Sequence, residues 1–299
     1  MSGQENFQVW MQGVQEGVEV ALDRYLPAVG STPTRLHEAM RYAVLGGGKR
    51  VRPLLVFAAG ALFGAPAAAL SHAAAAIEMM HAYSLVHDDM PCMDDDALRR
   101  GKPTVHVKYD EATALLAGDA LQAQALAVLA STQADLPAQR QLEMVRLLAQ
   151  AVGSGGMCGG QAIDLDSVGT MPTIDELERM HRLKTGALLR ASVLLGACCG
   201  KHPEPGEKIA LESYADAIGL AFQVVDDVLD ATADSATLGK TAGKDAAANK
   251  PTYVGILGLQ PSRELAEKLR CEAHRAVAPF GAAANMLRHL ADLIVQRKA

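Results

Sequence analysis

Two aspartate clusters lie more than a hundred residues apart in this chain, His87–Asp96 and Asp226–Asp230, and each follows an apolar stretch. Carboxylates at this density repel one another and resist burial, so a divalent cation is expected to offset their charge. Asp226 and Asp230 are four residues apart, which on a helix places them one turn apart on one face. Carboxylate oxygens in that arrangement suit a hard cation such as Mg²⁺. Two such clusters facing each other would form a site for several metal ions that can hold a diphosphate.

The first cluster needs a break in its helix to work in the same way. Asp88 and Asp94 are six residues apart, which on a straight helix separates them by roughly 240° around the axis. Pro91 disfavours helical geometry at Met90 and is expected to end the helix there. The turn that follows can then bring Asp94 back beside Asp88.

Basic segments accompany the acidic ones. Gly46–Pro53 carries three cations after a glycine triplet, and Arg99–Lys102 follows the first aspartate cluster. The triplet is not the nucleotide P-loop, because that motif needs glycine where Ala43 stands and serine or threonine where Arg50 stands. A solvated turn or a surface salt-bridge network explains each segment taken alone. Together with a second acidic cluster, cations that bind phosphate oxygens explain them better.

Two histidines lie close to the first aspartate cluster in sequence. His81 lies two helical turns before Asp88, on nearly the same face. His87 beside Asp88 also permits a metal phosphohydrolase of the HD type, in which histidine and aspartate ligate metal together. That alternative leaves the Asp226–Asp230 cluster without a role.

Composition limits the class of protein. The 299 residues are 49% hydrophobic and 21% charged, and the net charge of −6 argues against nucleic acid as a partner. Five cysteines without a C-x-x-C pair indicate a reducing, cytoplasmic location. Met1–Trp10 has neither the basic nor the apolar region of a secretory signal. Pro53–Ile77 has no charged side chain, but Pro66 interrupts it, which predicts two buried helices and no membrane span.

Helix-forming residues dominate, and strand signals are scarce. The periodicity predicts helices at residues 7–25, 34–45, 53–63, 67–90, 111–131, 137–153, 174–200, 207–231 and 262–297. Thr173 followed by Glu176 has capping-box spacing. The loop from Thr232 to Lys250 is long enough that a functional role is expected. The overall prediction is one all-α domain over residues 1–299, a bundle of about ten helices.

The two acidic motifs, in this order and spacing, resemble the aspartate-rich motifs of the trans-prenyltransferase family. The further matching segments are Gly46–Pro53, Arg99–Arg100, Lys184–Gly186, Phe222–Gln223 and Gly239–Lys240. The similarity extends from about residue 34 to the C-terminus. Within the family the chain most resembles bacterial short-chain enzymes that make farnesyl diphosphate. The resemblance implies an isoprenoid synthase fold around a deep central cavity, and a homodimer.

The resemblance also implies a reaction. Isopentenyl diphosphate would condense with dimethylallyl or geranyl diphosphate to give farnesyl diphosphate. This condensation would begin with ionisation of the allylic C–O bond. The isopentenyl double bond would then attack the cation, and a proton would be lost last. Three Mg²⁺ ions, which Mn²⁺ can replace, would stabilise the departing diphosphate.

Residue roles come from the same resemblance. Asp88 and Asp94 would ligate two Mg²⁺ ions and Asp226 a third, with Asp89, Asp227 and Asp230 supporting them. The allylic diphosphate would contact Arg99, Lys184, Lys240 and Lys250. The isopentenyl diphosphate would contact Lys49, Arg52, His81 and Arg100. Thr185 and Gln223 would lie near the carbocation, with Gln161 and Asp164 behind the site.

The resemblance implies that product length depends on Tyr83, which stands five residues before Asp88. The resemblance places Tyr83, with Ser84 beside it, on the floor of the pocket in which the product grows. A ring there would stop growth at fifteen carbons. The alternative is that Tyr83 only packs in the core.

Other functions remain open at this stage. A geranylgeranyl diphosphate synthase differs only in product length. A terpene cyclase rarely needs cations for a second diphosphate, and a non-catalytic partner subunit usually loses its aspartate motifs. A passive divalent-ion binder does not need the clustered cations. The C-terminal residues Gln296–Lys298 are a candidate cover for the isopentenyl diphosphate site.

Overall fold

The computed structural model describes residues 3–131, 136–232 and 250–297, and these residues are helical almost throughout. In chain order the elements are α1 (Gly3–Tyr25), α2 (Thr34–Val44), α3 (Val51–Leu62), α4 (Ala67–Asp88), β1 (Leu98–Arg99), β2 (Lys102–Pro103), α5 (Val105–Lys108), α6 (Glu111–Ala130), α7 (Ala138–Val152), α8 (Met157–Asp166), α9 (Ile174–His181), a π turn (Arg182–Gly186), α10 (Ala187–Cys198), α11 (Pro205–Thr232), α12 (Tyr253–Leu257), α13 (Leu259–Ala276), a 3₁₀ segment (Ala278–Ala284) and α14 (Asn285–Gln296). The prediction of an all-α protein is confirmed.

The chain groups into two compact units. Unit 1 contains Met1–Leu148 and Leu195–Lys201, and unit 2 contains Ala149–Leu194 and His202–Ala299. The first aspartate cluster belongs to unit 1 and the second to unit 2. A single domain over 1–299 stays a prediction.

Helix α4 is the central element of unit 1 and packs against α3 and α6. It is apolar nearly all round, as expected of a helix enclosed by others. Two glycines allow the close approach. A Cβ on Gly60 would overlap the side chain of Leu70, and one on Gly118 would overlap the ring of His87. The second contact holds α6 against the end of α4 that carries the first aspartate cluster.

Arg50 joins four elements of unit 1. It lies before α3 with a left-handed φ of 49° and is only 5% exposed. Its guanidinium donates to Glu19 on α1 at 2.7 Å, to Glu78 on α4 at 2.6 Å and to the carbonyl of Val44 at 2.8 Å. A buried cation is tolerated when it is paired and hydrogen-bonded in this way. Of the three cations in Gly46–Pro53, Arg50 therefore serves the fold.

Helix α11 organises unit 2. It packs on α13, the π turn and α14, and its apolar face joins a core that includes Leu177, Leu269 and Tyr253. Helix α9 begins with the predicted capping box: the backbone of Glu176 donates to Thr173 Oγ1, and the backbone of Thr173 donates to Glu176 Oε2.

Some expectations about the elements were wrong. Helices α5, α8 and α12 were not predicted. The predicted helix 174–200 contains the π turn. The predicted helix 262–297 is interrupted by the 3₁₀ segment, where Gly281 has φ 58° and ψ −139°. The predicted loop Thr232–Lys250 lies almost wholly outside the described residues.

The apolar stretch Pro53–Ile77 forms most of α3 and the first half of α4, as predicted. In the described part of the chain, α6 alone has the length and apolar composition that crossing a membrane requires. Core helices of soluble proteins pass the same test, so this is weak evidence for a span.

Candidate active site

The first aspartate motif has the predicted turn. Helix α4 ends at Asp88, and the backbone nitrogen of Asp94 donates to the carbonyl of Asp88 at 2.8 Å. A second bond, from Asp96 N to Asp89 O at 3.1 Å, closes the same turn. Asp94 is thereby returned to the end of the helix that carries Asp88. Both side chains are half-buried.

Asp89 is buried and paired with an arginine. The hairpin β1–β2 turns through Arg100 and Gly101, which both have positive φ, and Arg99 lies at the end of β1 just before this turn. Arg99 Nε donates to both oxygens of Asp89, and its Nη2 donates to Oδ1 at 2.5 Å. Burial raises the pKa of Asp89, against the lowering effect of Arg99. The nearby carboxylates of Asp94 and Asp96 add to the rise.

Cations collect beside this motif in unit 1. Burial lowers the pKa of His81 well below its usual value, and the charges of Arg52, Arg100 and Arg99 lower it further. The pKa of Arg100 is also lowered, by burial and by neighbouring arginines. His81 is thus a neutral ring among guanidinium groups. Such a cluster favours an anionic ligand, which would relieve the repulsion.

The glycine triplet shapes this cationic cluster. Gly46, Gly47 and Gly48 all have positive φ, and Arg100 Nη1 donates to the carbonyl of Gly47 at 2.7 Å. A Cβ on Gly48 would lie 2.7 Å from the same nitrogen. The positive φ values of the loop therefore favour glycine at all three positions. Lys49 follows it and is exposed.

Tyr83 and Ser84 are buried in α4. The Tyr83 ring is 2% exposed and meets His87 edge-on, with centroids 5.6 Å apart. Ser84 Oγ donates to the carbonyl of His81 at 2.8 Å. A role for Tyr83 on the pocket floor stays a prediction.

In the second aspartate motif, as in the first, one of two adjacent aspartates is buried and its neighbour is partly exposed. Asp227 is buried, whereas Asp226 has a side chain that is 43% exposed. Asp227 Oδ1 accepts from Gln223 Nε2 at 3.0 Å, and its Oδ2 accepts from Tyr253 N at 2.8 Å. Asp230, one turn further along α11, is buried.

Arg297 lies against this motif. Its guanidinium forms an ion pair with Asp226, donates to the carbonyl of Phe222 at 3.0 Å and stacks 4.0 Å from the Phe222 ring. Burial lowers the pKa of Arg297, and Asp226 opposes that effect. The C-terminal residues were expected over the isopentenyl diphosphate. No sequence pattern signals the pair of Arg297 with Asp226, because its members are far apart in the chain.

Two candidate phosphate-binding lysines of unit 2, Lys184 and Lys250, share one carboxylate. Lys184 Nζ donates to Asp164 Oδ2 at 2.6 Å, and Lys250 Nζ lies 3.8 Å from the same oxygen. Lys184 belongs to the π turn, a rare geometry that is often found at functional sites. Thr185, its neighbour, donates from Oγ1 to Gln223 Oε1 at 3.3 Å. Gln161 is buried on α8, and Lys240 lies outside the described residues.

These carboxylates can be tested against the implied Mg²⁺. In residues 3–131, 136–232 and 250–297, no three His, Cys, Asp or Glu side chains are grouped closely enough to hold a metal by themselves. Mg²⁺ does not need such a cage, because it usually binds one or two carboxylates together with water and substrate phosphates. Asp88 with Asp94, and separately Asp226, offer partly exposed oxygens of this kind. The donor set therefore fits Mg²⁺ whose coordination a diphosphate completes.

Comparison with known proteins gives consistent matches. A family model described as polyprenyl synthetase matches residues 33–284. A probable farnesyl diphosphate synthase of Sinorhizobium fredii is 55% identical over 95% of this chain and 86% of its own length. The farnesyl diphosphate synthase of Escherichia coli is 47% identical over 93% of this chain and 94% of its own. The apo crystal structure of an FPP/GFPP synthase from Zymomonas mobilis superposes with a TM-score of 0.86 at 42% identity, covering 97% and 99% of the two chains.

Proposed function

Because the chain belongs to the polyprenyl synthetase family, we propose that it condenses isopentenyl diphosphate with dimethylallyl or geranyl diphosphate to give farnesyl diphosphate. The observation that carries this proposal is the pairing of two unlike anion sites within unit 1. One is the turn that returns Asp94 to Asp88, and the other is the cationic cluster around His81. A metal-bound diphosphate suits the first, and a metal-free diphosphate suits the second. An elongating prenyltransferase needs both.

The first site serves the allylic substrate. Asp88 and Asp94 would each hold Mg²⁺ and Asp226 a third ion, with Asp89, Asp227 and Asp230 in support. When bound, Mg²⁺ neutralises the charge that develops on the departing diphosphate. Arg99, Lys184, Lys240 and Lys250 would bind phosphate oxygens. Their fixed positive charges stabilise the separated ion pair more than the neutral C–O bond, which is the condition for faster ionisation.

The second site serves isopentenyl diphosphate. Arg52, His81 and Arg100 would bind its phosphates, with Lys49 reaching in from the exposed end of the glycine loop. Anion binding offsets the repulsion that lowers the pKa of His81 and Arg100. This site would orient the double bond towards the allylic carbon.

The carbocation needs stabilisation by groups that do not form a covalent bond with it. Thr185 and Gln223 would supply oxygen dipoles for this purpose, since neutral oxygens stabilise positive charge without a full negative charge beside it. The proton lost from the condensed cation would pass to the released diphosphate, so no protein base is assigned.

The protein is further proposed to be a homodimer in the cytoplasm. Helix α6 carries two neighbouring apolar side chains on its surface, since Leu115 and Leu116 are 47% and 55% exposed. A second copy is the natural partner for such a face, because an identical apolar surface satisfies a two-fold contact. All five cysteines are free thiols, and three of them are exposed, which suits a reducing compartment.

Product analysis tests the function directly. Purified protein with Mg²⁺, radiolabelled isopentenyl diphosphate and dimethylallyl diphosphate is expected to give a C15 alcohol after phosphatase treatment and chromatography. EDTA should abolish it, and Mg²⁺ or Mn²⁺ should restore it. A C20 product would identify a geranylgeranyl diphosphate synthase instead, and a cyclic hydrocarbon a cyclase. The absence of any product would contradict the proposal.

A matched pair of variants checks the metal site. Asp94→Asn should lower kcat on the order of 10²-fold, because one charged ligand is lost where charge separates. Asp95→Asn is the control, since Asp95 lies in the same turn but is exposed and has no assigned role. Equal losses in both variants would count against the assigned ligands.

A further inference from the structure

The inference concerns Asp227, whose two oxygens both have partners inside the protein. Oδ1 accepts from Gln223 Nε2 and Oδ2 from Tyr253 N, at 3.0 and 2.8 Å. The residue is 4% exposed. Two N–H donors offset the cost of burying this carboxylate. Asp226, its neighbour in sequence, has the exposed side chain.

Asp227 determines which way the Gln223 amide points. An ionised carboxylate can only accept hydrogen bonds, so the amide nitrogen of Gln223 must face it. The carbonyl oxygen must then face the opposite way, where it accepts from Thr185 Oγ1 at 3.3 Å. The proton of Thr185 is committed to that bond. The lone pairs of Thr185 and of the Gln223 carbonyl are therefore what these side chains can offer to a cation.

The other oxygen of Asp227 fixes the chain beyond α11. Tyr253 N belongs to the segment that begins at Lys250, three residues earlier. Lys250 lies 3.8 Å from Asp164, the carboxylate that also accepts from Lys184. The Tyr253 ring is buried and stacks on His181, with centroids 5.5 Å apart. One carboxylate thus links the amide of Gln223 to the backbone that carries Lys250.

We propose that Asp227 is a positioning residue that orients Gln223 and, through it, Thr185 towards the carbocation, and that it does not ligate metal. The inference rests on the proposed function for the identity of the cation. It assigns different tasks to the two adjacent aspartates. Asp226 remains available to bind Mg²⁺. Asp227 determines that oxygen atoms of Gln223 and Thr185, and not N–H groups, face the substrate hydrocarbon.

The variant Asp227→Asn separates these tasks. The backbone N–H of Tyr253 cannot turn over, so the asparagine carbonyl must face it, and the asparagine NH₂ must face Gln223. The Gln223 amide then has to flip, which directs its own NH₂ towards Thr185. A donor replaces an acceptor where positive charge develops. We expect kcat to fall about 10- to 100-fold, with KM for both diphosphates changed by less than about threefold.

A second substitution should repair the first. In Asp227→Asn with Gln223→Glu, the asparagine still accepts from Tyr253 N and donates to the glutamate. The glutamate then accepts from Thr185, so every hydrogen bond is restored with oxygens facing the cation. The double variant is therefore expected to lose less free energy of unfolding than the sum of the losses in Asp227→Asn and Gln223→Glu.

Metal binding provides the readout that does not depend on turnover. Mn²⁺ bound in the presence of inorganic diphosphate, counted by electron paramagnetic resonance, should be the same for wild type and Asp227→Asn. Asp226→Asn should lose an ion. Urea denaturation of the same single and double variants measures the coupling of residues 223 and 227 without any substrate. A wild type without prenyl product would reject the proposed function and leave these two results standing.

The inference is overturned if Asp227→Asn loses Mn²⁺ as Asp226→Asn does, if KM rises while kcat holds, or if the double variant is merely additive. Should Asp227→Asn not fold, Gln223→Met removes the amide and keeps the contact of Asp227 with Tyr253. That variant should show the same fall in kcat with Mn²⁺ binding intact. Unchanged kcat in it would equally reject the role.

Discussion

At the scale of single residues, adjacent aspartates in both motifs have different surroundings. Successive residues on a helix point about 100° apart, so two neighbours cannot face the same ligand equally. Asp88 and Asp226 are partly exposed, whereas Asp89 and Asp227 are buried against N–H donors. The buried aspartate of each motif therefore holds the polar framework inside, and the partly exposed one is proposed to bind a cation.

Product length should depend on one ring. Tyr83→Ala removes the buried aromatic side chain proposed as the floor of the pocket, so the main product is expected to shift from C15 to C20. Tyr83→Phe keeps the ring and should keep the C15 product. Chromatography of the dephosphorylated products decides, with circular dichroism as a check on folding because a buried ring-to-alanine change costs about 3–5 kcal/mol. An unchanged profile would leave Tyr83 as a core residue.

His181 should make stability depend on pH. Burial lowers its pKa from 6.5 to about 4, and Lys184 lowers it while Asp164 raises it. The unfolded histidine takes up a proton near pH 6.5, and the folded one only near pH 4. Stability is therefore complete above pH 6.5 and declines as pH falls towards 4, by on the order of 3 kcal/mol in total.

Urea denaturation at two pH values measures this effect. Wild type should lose about 2 kcal/mol between pH 7 and pH 5 through His181. His181→Phe keeps an aromatic ring against Tyr253 and should remove that part of the slope. His202→Phe, at an exposed position, is the control and should leave the slope unchanged. Identical slopes in all three proteins would reject the assignment.

The ion pair of Arg297 with Asp226 should compete with metal. Arg297→Ala frees the Asp226 carboxylate, so Mn²⁺ is expected to bind about 3- to 10-fold more tightly in the absence of diphosphate. Arg297→Lys retains a cation and should show a smaller change. A Mn²⁺ titration followed by electron paramagnetic resonance measures both, and equal affinities in all three proteins would contradict a direct competition.

At the scale of elements, the π turn places Lys184 and Thr185 by its contact with α8. A Cβ on Gly160 would overlap the backbone of Lys184, so α8 and the turn can approach only over glycine. This contact explains why a glycine-rich segment forms a helix here. Gly160 costs helical stability by itself, and the packing that it permits outweighs that cost.

Gly160→Ala should therefore displace the π turn. We expect a loss of about 1–3 kcal/mol in the free energy of unfolding, from overpacking against backbone, together with a fall in kcat. Gly17→Ala on α1 is the control. A Cβ there meets nothing within 4 Å, so the change should stabilise by about 0.5–1 kcal/mol. If urea denaturation gave the same change in the free energy of unfolding for both substitutions, a Cβ at position 160 would cause no steric destabilisation.

At the scale of the whole molecule, positive charge is concentrated in one place although the net charge is negative. The chain carries −6 overall, yet His81 sits among four arginines in unit 1. Local fields of this kind attract an anionic substrate in spite of an acidic surface. Association with diphosphates should accordingly slow as ionic strength rises.

The exposed apolar face of α6 predicts the oligomeric state. Leu115→Glu with Leu116→Glu places charge on that face, so a dimer should become a monomer in size-exclusion chromatography with light scattering. Leu142→Glu on α7 is the control, because Leu142 is 68% exposed and belongs to a different helix. A wild type that is already monomeric would reject the proposed dimer.

The sequence by itself determined the features that depend on neighbours along the chain. Helical periodicity, the break caused by Pro91, the capping box at Thr173 and the i, i+4 spacing of Asp226 and Asp230 all act over a few residues, and the all-α class follows from them. The residues of the candidate site came from motif resemblance, and their roles stay predictions.

Only the tertiary structure decided the rest. The burial of Arg50, the helix at α8, the π turn, the inward orientation of Asp227 and the pairing of Arg297 each need a partner that is remote in sequence. Composition and spacing record which groups a chain carries, whereas a carboxylate's task depends on the donors that packing brings to it. A backbone donor such as Tyr253 N is present in nearly every residue, so no sequence pattern could have singled it out.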